Sequence, residues 1–140
     1  MNRKAFIAWE LIIMFGLIVV LMALAIPRFQ QIIFKSKEAQ TKVNLNQIRE
    51  AVIVYYGTNG GKYPEDNLFS LMPKYLSNIP EANISKHEKP SNKVHTGNGE
   101  TYIDGTGGWG YINDKQDPNW GKVSVNCTHK DTEGSFWNSY

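Results

Sequence analysis

Between Ala5 and Ile26 the chain carries one charged side chain, Glu10, in an otherwise apolar run. About 20 apolar residues suffice for a helix to cross the hydrocarbon core of a bilayer. Lipid offers the backbone no hydrogen-bonding partner, so a run that enters it must be helical. Glu10 stands near the start of the run. A charged side chain at the centre of a membrane helix costs roughly 2.5–3.5 kcal/mol or more, so one that is kept needs a partner. Arg3 and Lys4 form a short basic head, and Pro27 closes the run.

Two plainer readings exist for the same segment. Ala23-Leu24-Ala25 has the small-residue spacing of a secretory signal cleavage site. Against it, the run exceeds the roughly 7–15 residues of a signal core, and Glu10 interrupts it. The segment also reads as a plain uncleaved membrane anchor. Flanking charge does not orient it: Arg3 and Lys4 precede the span, while Arg28, Lys35 and Lys37 follow it.

The chain has 140 residues, which leaves room for one modest domain after the span. The 15 basic and 13 acidic residues give a formal charge of +2, and outside the basic head of Arg3 and Lys4 the two counts are equal at 13. Bulk charge therefore demands no nucleic-acid partner and permits close packing of copies. Cys127 is the only cysteine, so no intramolecular disulfide forms.

The helix is expected to continue past the membrane. Lys35 to Tyr56 contains neither Gly nor Pro, and Leu45, Ile48, Val52 and Tyr55 recur at spacings of one helical face. Lys42, Asn46, Arg49 and Glu50 take the other side and read as a solvated face, and Gly57 with Asn59-Gly60-Gly61 supplies the stop. From Phe6 to Tyr56 such a helix measures about 75 Å at 1.5 Å per residue. Pro27 lacks an amide hydrogen and predicts a kink or local melting.

Beyond the stop, Asn67 to Met72 reads as a short helix ended by Pro73, and Glu81 to Glu100 as a polar surface loop. Thr101-Tyr102-Ile103, Gly108 to Ile112 and Lys122 to Val125 read as a small antiparallel sheet, with Trp109 and Tyr111 on the face that packs on the helix stripe.

The amino-terminal constellation resembles type IV pilins and the pseudopilins of type II secretion systems. The resemblance rests on Phe6, Glu10, Leu11, Ile12, Ile13, Ala23, Ala25, Ile26, Pro27 and Phe29. It extends more loosely over Ile48–Pro80 and Gly108–Trp137. In that family a prepilin peptidase cuts a basic leader before a phenylalanine and the new amine is methylated. The mature chain has glutamate fifth and proline twenty-second. The resemblance thus implies cleavage between Ala5 and Phe6, N-methylation of Phe6, and assembly roles for Glu10 and Pro27. This chain departs from the family at Ala5, where glycine precedes the cut, at Ala8 and Trp9, and at Val19, where a glycine is usual.

The implied layout is a leader at 1–5, a transmembrane half-helix at 6–27, a soluble half-helix at 28–57 and a small globular domain at 58–140. The fold class is α+β, a long helical spine packed against a small C-terminal antiparallel sheet. The implied function is that of a non-enzymatic structural subunit of a homo-oligomeric helical filament. It would be assembled from the bacterial inner membrane, single-pass, with its C-terminal domain in the periplasm. Partners would be the prepilin peptidase, the inner-membrane assembly platform, minor pilins or pseudopilins, and membrane lipid. A type II secretion pseudopilin is the first reading and a pilus pilin for adhesion, motility or DNA uptake the second. Nucleic acid enters only with DNA uptake. A membrane-anchored extracytoplasmic binding module is the reading from another class.

No cofactor is required by this reading. Related pseudopilins bind calcium near the C-terminus, so Asp114, Asp117 and Asp131, with Asn113 and Asn119, are the candidate ligands; they match no EF-hand. Cys127 and His129 lie two apart, and His87 and His95 lie in the polar loop; without a second paired motif the sequence presents no structural zinc site. Asn83-Ile84-Ser85 and Asn126-Cys127-Thr128 fit the glycosylation pattern. No catalytic residues emerge: there is no nucleophile elbow, phosphate cradle or convergent carboxylate pair. Trp109, Tyr111, Trp120, Trp137 and Tyr140 read as core packing before they read as a ligand platform.

Overall fold

A helix α1 runs from Arg3 to Thr58 in a computed structural model that describes the backbone of residues 3–140 and the side chains from residue 9 onward. The side chains of Ala5 and Phe6, the expected cut site, lie outside the described residues. The chain divides into two compact units, Met1–Lys35 and Ser36–Tyr140.

In the first unit Pro27 lies inside α1, and helix is assigned without interruption on both sides of it. Local melting, one of the two expected outcomes, does not occur. An interior proline removes a single hydrogen bond, and the turn before Pro27, Ala23 to Ile26, carries no polar side chain to compete for the backbone there.

In the second unit the helix ends where its glycines predict. Asn59 N–H reaches the Tyr55 carbonyl at 2.9 Å, Gly61 N–H reaches Tyr56 at 3.0 Å, and Gly60 and Gly61 turn the chain out at φ 66° and 75°. The stripe is the core: Leu45, Ile48 and Val52 are buried, Ala51 joins them, and Tyr55 packs at the margin. The expected short helix is a 3-10 turn at Phe69–Leu71. Leu68 at φ 68° places both Leu68 and Leu71 in the core, and the Asp66 carboxylate caps the turn through the Ser70 amide at 2.9 Å and hydroxyl at 2.6 Å.

Three strands follow: β1 at Val94–Gly97, β2 at Trp109–Ile112 and β3 at Val123–Val125, in spatial order β1-β2-β3. β2 and β3 pair antiparallel, with Trp109 opposite Val125 and Tyr111 opposite Val123. β1 and β2 pair parallel, with Val94 opposite Trp109. The fold is α+β, but the sheet is mixed rather than antiparallel, and its first strand comes from the segment expected to be loop. The expected strand at Thr101–Ile103 is a turn instead, because the Asn98 carbonyl accepts the amides of Thr101 and Tyr102, both at 3.1 Å, and the Asn98 side chain accepts those of Glu100 and Thr101.

Parallel neighbours ordinarily need a crossover of a dozen or more residues, usually helical. Here residues 98–108 make the return as irregular chain. Two features allow it. Gly108, at φ 78°, passes so close to the Lys93 carbonyl that a Cβ would collide with it. Asn126, fully buried, then ties the loop down: its oxygen accepts the amides of Asp104 at 2.8 Å and Gly105 at 3.0 Å, and its amide donates to the Asp104 carboxylate at 2.6 Å. An amide so engaged is no glycan acceptor; Asn83 is half-buried.

Candidate functional site

The first unit presents an uncovered apolar surface. Every side chain from Trp9 to Phe34 is exposed, Trp9 at 65%, Phe15 at 72% and Phe29 at 67%. Isolated soluble proteins seldom expose contiguous apolar area on this scale. By length and composition α1 is sufficient to cross a membrane. Glu10 lies on this surface without a hydrogen-bond or ion-pair partner among the described residues. Its helical neighbours at three and four positions on are Ile13 and Met14, so α1 supplies no counter-charge in that direction. Gly16 has open space where a Cβ would be. An interior helical glycine costs about 1 kcal/mol relative to alanine. Among the described residues of the first unit nothing uses its absent side chain; a second helix at close approach would.

The second unit does not gather the expected calcium ligands. Asp117 accepts the amides of Gly99 at 2.5 Å and Asn119 at 2.8 Å, which hold its carboxyl below the usual range, and Asp114 accepts the Gln116 amide at 2.9 Å. Both are turn-forming carboxylates. Asp131 belongs to another network altogether. Its Oδ1 accepts the amides of Glu133 and Ser135, each at 2.9 Å, and its Oδ2 accepts Lys42 Nζ at 3.0 Å and the Tyr140 hydroxyl at 2.6 Å. The place a cation would take beside Asp131 is held by an ammonium group. Burial pushes the Asp131 carboxyl up, but those four hydrogen bonds outweigh it and hold it at about 2. Lys42 is raised correspondingly, with the Tyr140 bond as the largest contribution.

Lys42 is therefore no solvated residue, nor is Glu38. Glu38 is 3% exposed, and its carboxylate accepts Ser85 Oγ at 2.7 Å, the Thr132 amide at 3.0 Å and Thr132 Oγ1 at 2.5 Å. Arg49 donates twice to the Val123 carbonyl, at 3.0 and 2.8 Å. Asn46 and Glu50 do face solvent. Thus Glu38, in line with the stripe, and Lys42 and Arg49 at its border bind the C-terminal turn and the sheet in the second unit. The sequence holds one signal for this: extending the apolar stripe backward from Leu45 arrives at Thr41 and Glu38.

The aromatic residues are mainly structural. Trp109, Tyr111 and Trp137 are wholly buried, with Trp109 Nε1 on the Pro80 carbonyl at 2.7 Å and the Tyr111 hydroxyl on the Pro64 carbonyl at 2.6 Å. They cannot also form a ligand platform. One cluster the sequence did not announce does form: His87 is brought beside Cys127 and His129.

No family model, curated protein or solved structure matches this chain.

Proposed function

We propose that the chain is a structural subunit of a membrane-derived helical filament of the type IV pilus kind, with a type II secretion pseudopilin as the first reading. The observation that carries it is Glu10: one carboxylate without a partner among the described residues, on an apolar helix whose side chains are uncovered from Trp9 to Phe34. A simple anchor gains nothing from that carboxylate and bears its cost.

In the proposed assembly, cleavage after Ala5 frees the amine of Phe6, and Glu10 of one copy pairs with that amine on a neighbour. Two opposite charges attract far more strongly in hydrocarbon than in water, and desolvation removes much of the gain. The pair therefore sets register, while the aliphatic side chains around it supply packing, with close approach at Gly16. In the second unit the charged clamps at Glu38, Lys42 and Arg49 keep the small domain on its helix as copies pack.

The test is direct. Intact-mass measurement of the isolated protein should show a start at Phe6 carrying one methyl group. Glu10→Ala should remain in the membrane fraction and be lost from filaments; normal incorporation of that variant refutes the proposal. A start at Met1 would leave a plain anchor, and one at Ile26 a signal peptide.

A further inference from the structure

Cys127 lies two residues past the end of β3 and is wholly buried; His129 stands two residues on and is exposed; His87 arrives from the turn that its own amide closes on the Ile84 carbonyl at 3.0 Å. One ligand atom from each residue lies within 4.8 Å of the other two. Sγ of Cys127 is 3.3 Å from Nδ1 of His129. With metal–sulfur and metal–nitrogen bonds of about 2.3 and 2.05 Å, that separation subtends about 99° at a shared ion, close to tetrahedral.

A thiol–imidazole hydrogen bond explains the Cys127–His129 edge but not His87. Nε2 of His87 is shut off from solvent and has no hydrogen-bond partner among the described residues. Buried polar atoms are almost always satisfied, so an orphan ring nitrogen on a residue grouped with a thiol and a second imidazole asks for a missing partner. Gly107, at φ 90°, makes room for this ring: a Cβ there would stand 3.2 Å from His87 Nδ1. The third histidine is not involved, since His95 pairs with Asp104 at 3.3 Å.

We propose that His87, Cys127 and His129 bind one transition-metal ion of borderline softness, zinc(II) in the first instance, through one thiolate and two imidazoles. This donor set suits zinc and copper and is foreign to calcium or magnesium, which take oxygen. Binding displaces the thiol proton to solvent and forms the metal–sulfur bond, with no change of oxidation state. Three protein ligands leave the fourth position to water or an incoming group. The ion would join the His87 turn to the chain leaving β3, a cross-link that a domain with a single cysteine cannot make by disulfide.

The experiment uses the full chain in detergent micelles, stripped with chelator and titrated with cobalt(II) and then zinc(II). One equivalent of cobalt should produce a thiolate-to-metal charge-transfer band that zinc abolishes, and zinc should raise the melting temperature. Cys127→Ser should lose the band. His129→Ala, at an exposed position that leaves the core intact, should weaken zinc binding by at least about tenfold. His95→Ala should change nothing. Absence of the band at one equivalent near pH 7.5, or zinc affinity unaltered in both Cys127→Ser and His129→Ala, overturns the assignment. Neither readout depends on cleavage at Phe6 or on assembly through Glu10.

Discussion

Replacing Asp131 with asparagine tests how the C-terminal turn is held. The Asp131 side chain is wholly buried, and its carboxyl sits at about 2 against an ordinary 3.8. At 1.36 kcal/mol per unit, that shift contributes roughly 2–3 kcal/mol to folding. The sign follows from the depression: the contribution is complete above the unfolded value and is lost as pH falls through the folded one. It is therefore present at pH 7, begins to fall near pH 4 and is largely gone by pH 2. Asp131→Asn keeps the shape and some acceptor capacity but gives up the charge that faces Lys42 and Tyr140. It should cost about 2–3 kcal/mol at pH 7, and the gap from wild type should narrow below pH 4. For a unit of this size the cost corresponds to roughly 10 °C in melting temperature. Urea unfolding of the full chain in micelles, followed by tryptophan fluorescence from buried Trp109 and Trp137, measures it. A cost under about 0.5 kcal/mol at pH 7 would show that the network is geometry without energy, and one that stays constant down to pH 2 would show that its energy does not come from the charge. Glu133, the other acid on Lys42, has a side chain 65% exposed, and Glu133→Gln should cost almost nothing.

Other outcomes can be read in the same unfolding assay. Glu38→Ala strands the Ser85 hydroxyl and two Thr132 donors and should cost about 2–3 kcal/mol; Glu38→Gln, which can still accept from Thr132 and donate to Ser85, should cost about half of that. Ile48→Ala, at a residue with no exposure, should cost about 2–5 kcal/mol, while Gln47→Ala on the solvent side should stay within about 0.5 kcal/mol. Gly108→Ala and Gly134→Ala both force a side chain into positive φ, at roughly 1–2 kcal/mol. Only Gly108 also drives a Cβ into the Lys93 carbonyl, so it should be the clearly worse of the two and should loosen β1 from β2.

The parts of the fold legible in the sequence are those where one physical demand acts alone. A membrane-length apolar run admits only helix, and the Leu45, Ile48, Val52, Tyr55 spacing admits one face. Gly57 through Gly61 ends the helix within two residues of the expected Tyr56. β2 and β3 are apolar, short and bounded by turn residues, and they fall where expected. β1 escaped because an edge strand that is only half-buried along its length has no reason to alternate: Val94 is its one apolar residue, and His95, Thr96 and Gly97 look like loop. The neighbouring Thr101-Tyr102-Ile103 has the composition of a strand, yet Asn98 captures its amides first. Local side-chain competition for the backbone decided between them, and propensity does not include that competition.

The charged residues show the same limit from the other direction. An amphipathic reading assigns acids and bases to water, which serves for Asn46 and Glu50 and fails for Glu38, Lys42 and Arg49. What reverses the assignment is a set of partners far along the chain: Ser85 and Thr132 for Glu38, Asp131 and Tyr140 for Lys42, the Val123 carbonyl for Arg49. A buried charge is tolerable only when those partners are already in place. The closing residues Asp131 to Tyr140 hold three of them, so this polar tail acts as the counterpart of the helix rather than as a frayed end. The same reasoning extends to His87. Taken along the chain it is one polar residue in a polar loop; beside Cys127 and His129 it is an unsatisfied donor atom. Proximity created by the fold, which no spacing along the chain encodes, is what sets its free nitrogen among the residues of that cluster.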